Sequence, residues 1–426
     1  MKIIKYPHIN DWQHLIKRPE NEKVSLHETI KDVFLDVKNE GDTALKKYTL
    51  EFDKVALTNL HVSEQELTEA EALVSTELKQ AILQAKSNIE KFHLSQIENK
   101  KIIEIQPGIQ CWRESRAIEK VGLYIPGGSA PLFSTVLMLG VPAKIAGCKN
   151  IVLCTPPNNE GKIHPAILFA AKTVGITDIY KVGGVQAIAA MALGTETITS
   201  VYKIFGPGNQ YVTAAKQYAQ EFKVSIDLPA GPSEVLVMAD SSAHPAYVAS
   251  DLLSQAEHGP DSQVIFLTTD EEILNQTLDE IHTQLENLPR KEIAKKALNN
   301  SLGVLLYSLE ECFHWSNLYA PEHLILAIDQ AKKYIQNIEN AGSVFLGNYS
   351  CESAGDYASG TNHTLPTHGY ARNYSGVSLD SFFKKITFQE LTKEGLHRIG
   401  NTIELMAEGE ELQAHKNAVS IRLRSN

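Results

Sequence analysis

From Val121 onward the chain alternates short apolar runs with helical stretches, and this rhythm constrains the fold more than any other feature. Strand-like runs at Val121–Ile125, Ile151–Cys154, Ile179–Val182 and Val201–Ile204 are separated by helical patterns near Thr135–Ile145, Pro165–Val174, Gln186–Leu193 and Gln210–Glu221. A second series follows, with strands expected at Val235–Met238, Gln263–Leu267, Gly303–Tyr307, His323–Ala327 and Ser343–Leu346. Strands buried on both faces read as such continuous apolar runs, and β-α-β-α alternation gives a parallel sheet covered by helices on both sides. The expected class is therefore α/β, with two doubly wound, mainly parallel sheet domains. The likeness of the two units is either an old duplication or the general texture of α/β chains. Before them, about 20 to 101 reads as helix, with Leu67, Ala70, Val74, Leu78, Ala81, Ile82, Ala85 and Ile89 at threes and fours. After them, the tail from about Phe388 to Glu411 reads as helices and Ala418–Leu423 as a short strand.

Composition excludes several function classes. A net charge of −11 over 426 residues argues against a nucleic-acid binder, which needs a basic face. The first residues show no apolar signal region, and no run approaches the ~18 apolar residues of a membrane helix. The five cysteines are scattered without a Cys-x-x-Cys, as expected of free thiols in a reducing cytoplasm.

Several polar constellations stand out. Gly122–Thr135 and Phe205–Tyr211 are glycine-bearing turns between a strand and a helix, where free amides suit a phosphate. Neither is the Gly-x-Gly-x-x-Gly fingerprint, and each alone reads first as a tight turn. Gln255 and His258, three apart late in a helix starting near Pro245, share a face and either grip one metal ion or end the helix. Glu322 and His323 lie side by side at a turn into a strand. They serve one substrate only if the backbone bends there; otherwise they are a solvated pair. Cys351–His363 is a polar stretch after a strand, at the carboxyl edge where open α/β sheets collect ligands; it is either a surface loop or a ligand loop offering Asp356 and His363. Glu410 and His415 belong to a solvated helix end.

Together these segments resemble the histidinol dehydrogenase family. The motifs occur in order across nearly the whole chain: Tyr124-Ile-Pro-Gly-Gly-Ser-Ala-Pro-Leu-Phe-Ser-Thr, Gly206-Pro-Gly-Asn209, Leu228-Pro-Ala-Gly-Pro-Ser-Glu-Val, Gln255-Ala-Glu-His258, Ala320-Pro-Glu-His-Leu, Gly355-Asp-Tyr-Ala-Ser-Gly-Thr-Asn-His363 and Ala414-His-Lys-Asn-Ala. The resemblance implies a cytoplasmic, NAD-dependent four-electron oxidation of L-histidinol to L-histidine through bound histidinaldehyde, the last two steps of histidine biosynthesis. It implies one zinc ion per subunit, held by Gln255, His258 and Asp356, with His415 arriving from the partner of a homodimer. Glu322 and His323 match the acid–base pair. Ser233, His363 and Glu410 match substrate contacts, joined by the four metal ligands and the acid–base pair. Tyr124, Gln186 and Asn209 match the NAD contacts. The implied domains are an N-terminal segment (1–21), a discontinuous main unit (22–118 and 234–377), an inserted unit contacting NAD (119–233) and a dimer-exchanging tail (378–426).

The implied chemistry is two hydride transfers. His323 suits removal of the alcohol proton, and Glu322 activation of the water that hydrates the aldehyde. A cysteine thiohemiacetal is the alternative for the second step, and Cys154, within an apolar strand, reads as a buried inert thiol. Two rival classes are a zinc hydrolase, which needs no NAD contacts, and a binding protein, which needs no Glu322–His323 pair.

Overall fold

A computed structural model describes residues 1–18, 26–127, 130–229 and 231–424. Gly128 and Ser129 of the glycine-rich turn, Ala230 and the expected boundary at 21/22 lie outside the described residues. Strands are numbered along the chain: β1 (Lys2–Lys5), β2 (Ile103–Gln106), β3 (Ile109–Ala117), β4 (Lys120–Tyr124), β5 (Asn150–Thr155), β6 (Asp178–Lys181) and β7 (Lys203–Phe205). They continue with β8 (Ser225–Ile226), β9 (Glu234–Ala239), β10 (Gln263–Thr268), β11 (Leu302–Leu305), β12 (His323–Ala327), β13 (Ser343–Leu346) and β14 (Phe383–Leu391).

Two parallel sheets carry the expected alternation. One runs β6-β5-β4-β7-β8, the other β1-β11-β10-β9-β12-β13. Apart from the edge strand β1, both place all five strands in the same order, third-second-first-fourth-fifth, with the chain reversing direction beside the first strand. That reversal lies between β4 and β7 in one sheet and between β9 and β12 in the other. Strand alternation divides each sheet between two cores. Val235 and Val237 pack on the Pro245–Ala256, Glu271–Leu285 and Lys291–Asn299 helices. Leu236 and Met238 pack with Trp12, Trp315 and Tyr319 on the other face. Each such fully buried Val or Leu contributes roughly 1.5–3 kcal/mol.

The N-terminal helices Leu26–Glu40, Asp42–Tyr48, Glu64–Leu73 and Thr76–Leu94 dock on the five-stranded sheet's helices. Ile30, Phe34 and Leu45 join one core of that sheet, and Ala70, Ile82 and Ile89 the other. The continuous helical periodicity around residues 67–89 is broken at Val74 and Ser75. Ser75 caps the second helix by accepting from the Leu78 N–H, and Ser63 and Glu66 form a reciprocal capping box on the first.

Two expectations about the tail are corrected. Phe388–Leu391 is the end of β14, which pairs antiparallel with β3, while β2 covers β3's other edge. The helix begins at Lys393, after the Thr392 cap. Ala418–Leu423 is not a strand but the last turns of a helix, Gln413–Arg424. Val419, Ile421 and Leu423 do alternate, but Lys416, Ser420 and Leu423 form the face turned toward the Lys393–Gly409 helix. Leu423 Cδ1 would lie 2.7 Å from a Cβ on Gly400, so the small residue admits it. Among the described residues no helix is long and apolar enough to cross a membrane.

Candidate metal centre and active site

The Leu309–Tyr319 helix ends at Ala320, whose φ of 54° swings the chain back into β12. That bend brings both titratable side chains to one side. Glu322 and His323 are buried, with His323 Nδ1 3.7 Å from Glu322 Oε2. A single residue at the start of β9 holds both. The Glu234 N–H donates to Glu322 Oε2 at 2.8 Å, and the Glu234 carbonyl accepts from His323 Nδ1 at 3.1 Å. The solvated-pair reading is thereby excluded. Ser233 sits one residue earlier, half-buried.

The Pro245–Ala256 helix runs back along β9 and delivers Gln255 and, just past its end, His258 to the same edge. The His258 N–H still bonds the Gln255 carbonyl at 3.2 Å. A short helix, Glu352–Tyr357, presents Glu352 and Asp356 one turn apart. Ligand atoms of His258, Glu352 and Asp356 all lie within 4.8 Å of one another. Gln255 is fully buried, and neither of its amide atoms has a hydrogen-bond partner among the described residues. Leaving such a group unpaired costs ~1–3 kcal/mol, which a cation on its oxygen would offset. An imidazole, an amide oxygen and a carboxylate form a mixed N/O set that zinc accepts. The residues present fit the ion.

Asp356 joins this cluster to the Glu322–His323 pair, its Oδ1 3.5 Å from His323 Nε2. Its main-chain carbonyl faces His363 Nδ1 at 2.9 Å, and His363 Nε2 meets Thr135 Oγ1 at 3.2 Å. Thr135 lies in the first turns of the Phe133–Ala146 helix, just after the glycine-rich turn, so His363 ties the metal edge to the other sheet's unit.

The electrostatics follow from burial. Glu322 is pushed up to about 8 by desolvation, against the pull of His323 and the Glu234 N–H. Burial alone would lower His323, but Glu322, Glu352 and Asp356 outweigh it and raise it to about 10. Burial raises Glu352 well above the carboxylate range. Asp356 is held low: burial opposes ionisation, but His323, His363 and His258 prevail. Burial lowers His258 and His363, favouring the neutral form a metal or substrate needs.

The residues matched to NAD stand at the carboxyl edge of the five-stranded sheet. Tyr124 ends β4, buried, its hydroxyl accepting from the Gly184 N–H at 3.0 Å and raised by burial to about 12. Gln186, in the first turn of the Gly184–Leu193 helix, is buried with its Oε1 unpaired among the described residues. Asn209 follows β7 and caps the Gln210–Ala219 helix through its side-chain oxygen. Gly206 is required here: its φ is 127°, and a Cβ would lie 2.1 Å from the Tyr124 carbonyl oxygen.

The carboxyl-edge expectation for the Cys351–His363 stretch is where the structure departs from the sequence reading. Glu322 and His323, at a turn into a strand as expected, gather with Gln255 and His258 at the amino ends of β9 and β12. The stretch from Cys351 does leave the carboxyl end of β13, but its helix carries Asp356 back across the sheet. Glu352 and Glu234 were not singled out in the sequence. A glutamate one helical turn before Asp356 was the available signal for the first; the second lies inside the quoted Leu228–Val235 motif, with no role matched to it. Glu410 and His415 lie exposed on the hairpin of the last two helices and are not part of the metal-binding group. Cys154 is fully buried, and its thiol is pushed far up by burial, so it is no nucleophile.

A family model described as histidinol dehydrogenase matches residues 16–423. Histidinol dehydrogenase of Bacteroides thetaiotaomicron is 58% identical over 423 residues, covering 99% of each chain. The crystal structure of histidinol dehydrogenase from Elizabethkingia anophelis superposes with a TM-score of 0.98 at 65% identity, covering 100% of this chain and 98% of that one. An acetylating aldehyde dehydrogenase from Geobacillus thermoglucosidasius shares the fold, with a TM-score of 0.51 at 15% identity over 88% of this chain and 93% of that one.

Proposed function

The chain belongs to the histidinol dehydrogenase family, and on that premise we propose that it oxidises L-histidinol to L-histidine with NAD at a zinc site. The observation that carries the reading is the 3.5 Å approach of His323 to Asp356, a residue whose ligand atom converges with those of His258 and Glu352; this supports a proton-transfer group working beside a metal. NAD would be held at Tyr124, Gln186 and Asn209 and would supply the hydride acceptor for each oxidation. Zinc would be held by Gln255, His258, Asp356 and the partner's copy of His415, and would supply a Lewis acid for the substrate's imidazole and amine and a positive charge beside the carboxylates that raise His323.

The chain's own groups perform the proton work. Because a carbonyl only accepts, His323 Nδ1 carries a proton toward Glu234, and Nε2 is left to take the proton of the substrate hydroxyl. Glu322, buried and poised near neutral pH, takes a proton from the water that adds to the aldehyde. His363, Ser233 and the partner's copy of Glu410 bind the remaining polar groups of the substrate.

The partner contribution implies a homodimer. Its support is the terminal hairpin, whose helices pack chiefly on each other and expose Leu405, Met406, Leu412 and Ile421. The same reading divides the chain into 1–21, 22–118 with 234–377, 119–233 and 378–426, and places it in the cytoplasm. Closure of β4–β8 within 119–233 supports the inserted unit.

The test is NADH absorbance with limiting L-histidinol and excess NAD. Two NADH per histidinol, abolished by a chelator and restored by zinc, is the expected result. No NADH from zinc-loaded protein would overturn the reading.

A further inference from the structure

Arg18 comes from the N-terminal segment, far in sequence from the acid–base pair. Its guanidinium grips the Glu234 carboxylate at both oxygens, with Nη2 to Oε2 at 2.8 Å. The same Nη2 donates to the Tyr319 carbonyl at 2.8 Å, and the guanidinium carbon lies 3.9 Å from the centroid of the Tyr319 ring. Tyr319 is itself fixed, its hydroxyl donating to Gln263 Oε1 at 2.7 Å. The second contact to the Glu234 carboxylate is the His368 N–H, 3.0 Å from Oε1. The Arg18 and Glu234 side chains are only 11% and 3% exposed.

A buried ion pair is a poor way to gain stability, because desolvation cancels most of the attraction and apolar replacements often do as well. What it supplies is a fixed geometry. Every contact made by this carboxylate immobilises residue 234, and residue 234 is the one whose N–H holds Glu322 and whose carbonyl holds His323. The carbonyl also sets the tautomer, leaving Nε2 rather than Nδ1 facing the substrate. We propose that Arg18 and Glu234 form a positioning pair, through which the N-terminal segment sets the orientation of Glu322 and the tautomer of His323.

This inference rests on the acid–base reading of Glu322 and His323. The experiment measures kcat and KM for L-histidinol and NAD on zinc-loaded Arg18→Ala, Arg18→Lys and Glu234→Gln proteins. Glu322→Gln and His323→Asn are run beside them. Misplacing a reacting group by about 1 Å can cost ~10²-fold in rate. The expected result for Arg18→Ala is therefore a kcat about 10²-fold lower with KM and zinc content retained. Millimolar guanidinium chloride should restore part of the loss, and sodium chloride at equal ionic strength should not. Should Arg18→Ala fail to fold, Arg18→Lys decides, because its cation and stem remain while the two-pronged grip is lost; a lowered kcat at unchanged KM supports the pair. Wild-type kcat in a folded Arg18 variant overturns the proposal, as does a loss that follows thermal unfolding alone and is not rescued by guanidinium. Wild-type kcat in Glu322→Gln and His323→Asn would instead remove the acid–base reading itself.

Discussion

Lys216 Nζ lies 2.5 Å from Asp227 Oδ1, with both side chains almost completely buried. The lysine also donates to the Gly206 carbonyl at 2.7 Å, and Asp227 Oδ2 accepts the Gly206 N–H at 2.8 Å. Gly206 opens the turn leading to Asn209, while Asp227 begins the segment leading to Ser233 and Glu234. The pair thus clamps the turn matched to NAD onto the connection to the acid–base pair. Removing one partner of a buried ion pair strands the other charge. Asp227→Ala is expected to cost ~3–5 kcal/mol in urea unfolding and to raise KM for NAD. Unchanged KM in folded protein would confine the pair to stability.

His415 is exposed near the start of the last helix. Surface substitutions away from special features usually stay within about ±0.5 kcal/mol. His415→Ala should therefore leave thermal unfolding of metal-free protein unchanged while lowering zinc per chain and activity, read by elemental analysis and NADH formation. Full zinc retention would take it out of the ligand set.

Glu322→Gln keeps the acceptor for the Glu234 N–H but removes the group that can take a proton. General-base catalysis is typically worth 10²–10⁴-fold, so oxidation of histidinaldehyde should slow by at least about 10²-fold. Oxidation of histidinol to the aldehyde, whose proton the proposed mechanism assigns to His323, should slow less. Equal slowing in single-turnover measurements would contradict the separate role of Glu322.

What the sequence reveals follows from which physical signal each element carries. β12 is readable to the residue because a strand buried on both faces is a continuous apolar run, while β13, at the sheet edge and partly exposed, is readable from its short Val-Phe-Leu run alone. β3 and β14 are not readable, since they pair in a partly exposed antiparallel ribbon studded with Arg113, Glu114, Arg116, Lys384 and Lys385. At the site, the family motifs bring out the residues to which the resemblance assigns roles. Motifs do not reveal geometry: the carboxyl-edge rule locates where the Cys351–His363 stretch leaves β13, yet it misplaces Asp356, which the Glu352–Tyr357 helix carries back to His323 at the amino end of β12. The role of Glu234, which lies within the Leu228–Val235 motif, is hidden in sequence for another reason. Its contacts to the acid–base pair are made by its main chain, and its own partner, Arg18, lies more than two hundred residues away.

Asp53 supplies a test of the cofactor side by pH. Its Oδ2 is buried without a hydrogen-bond partner among the described residues, and burial raises its carboxyl to about 6. The charged carboxylate also acts on the nearby Tyr124 hydroxyl. A carboxyl with a raised folded-state pKa binds its proton more tightly folded than unfolded. Its favourable contribution is therefore complete below the unfolded value near 4 and is lost as pH rises through 6. Asn has no proton to lose there, so the melting temperature of Asp53→Asn relative to wild type should climb between pH 4 and pH 7 and level off above. A difference that stays flat across that range would mean Asp53 ionises freely in the folded protein, and that its buried oxygen has a partner in solution.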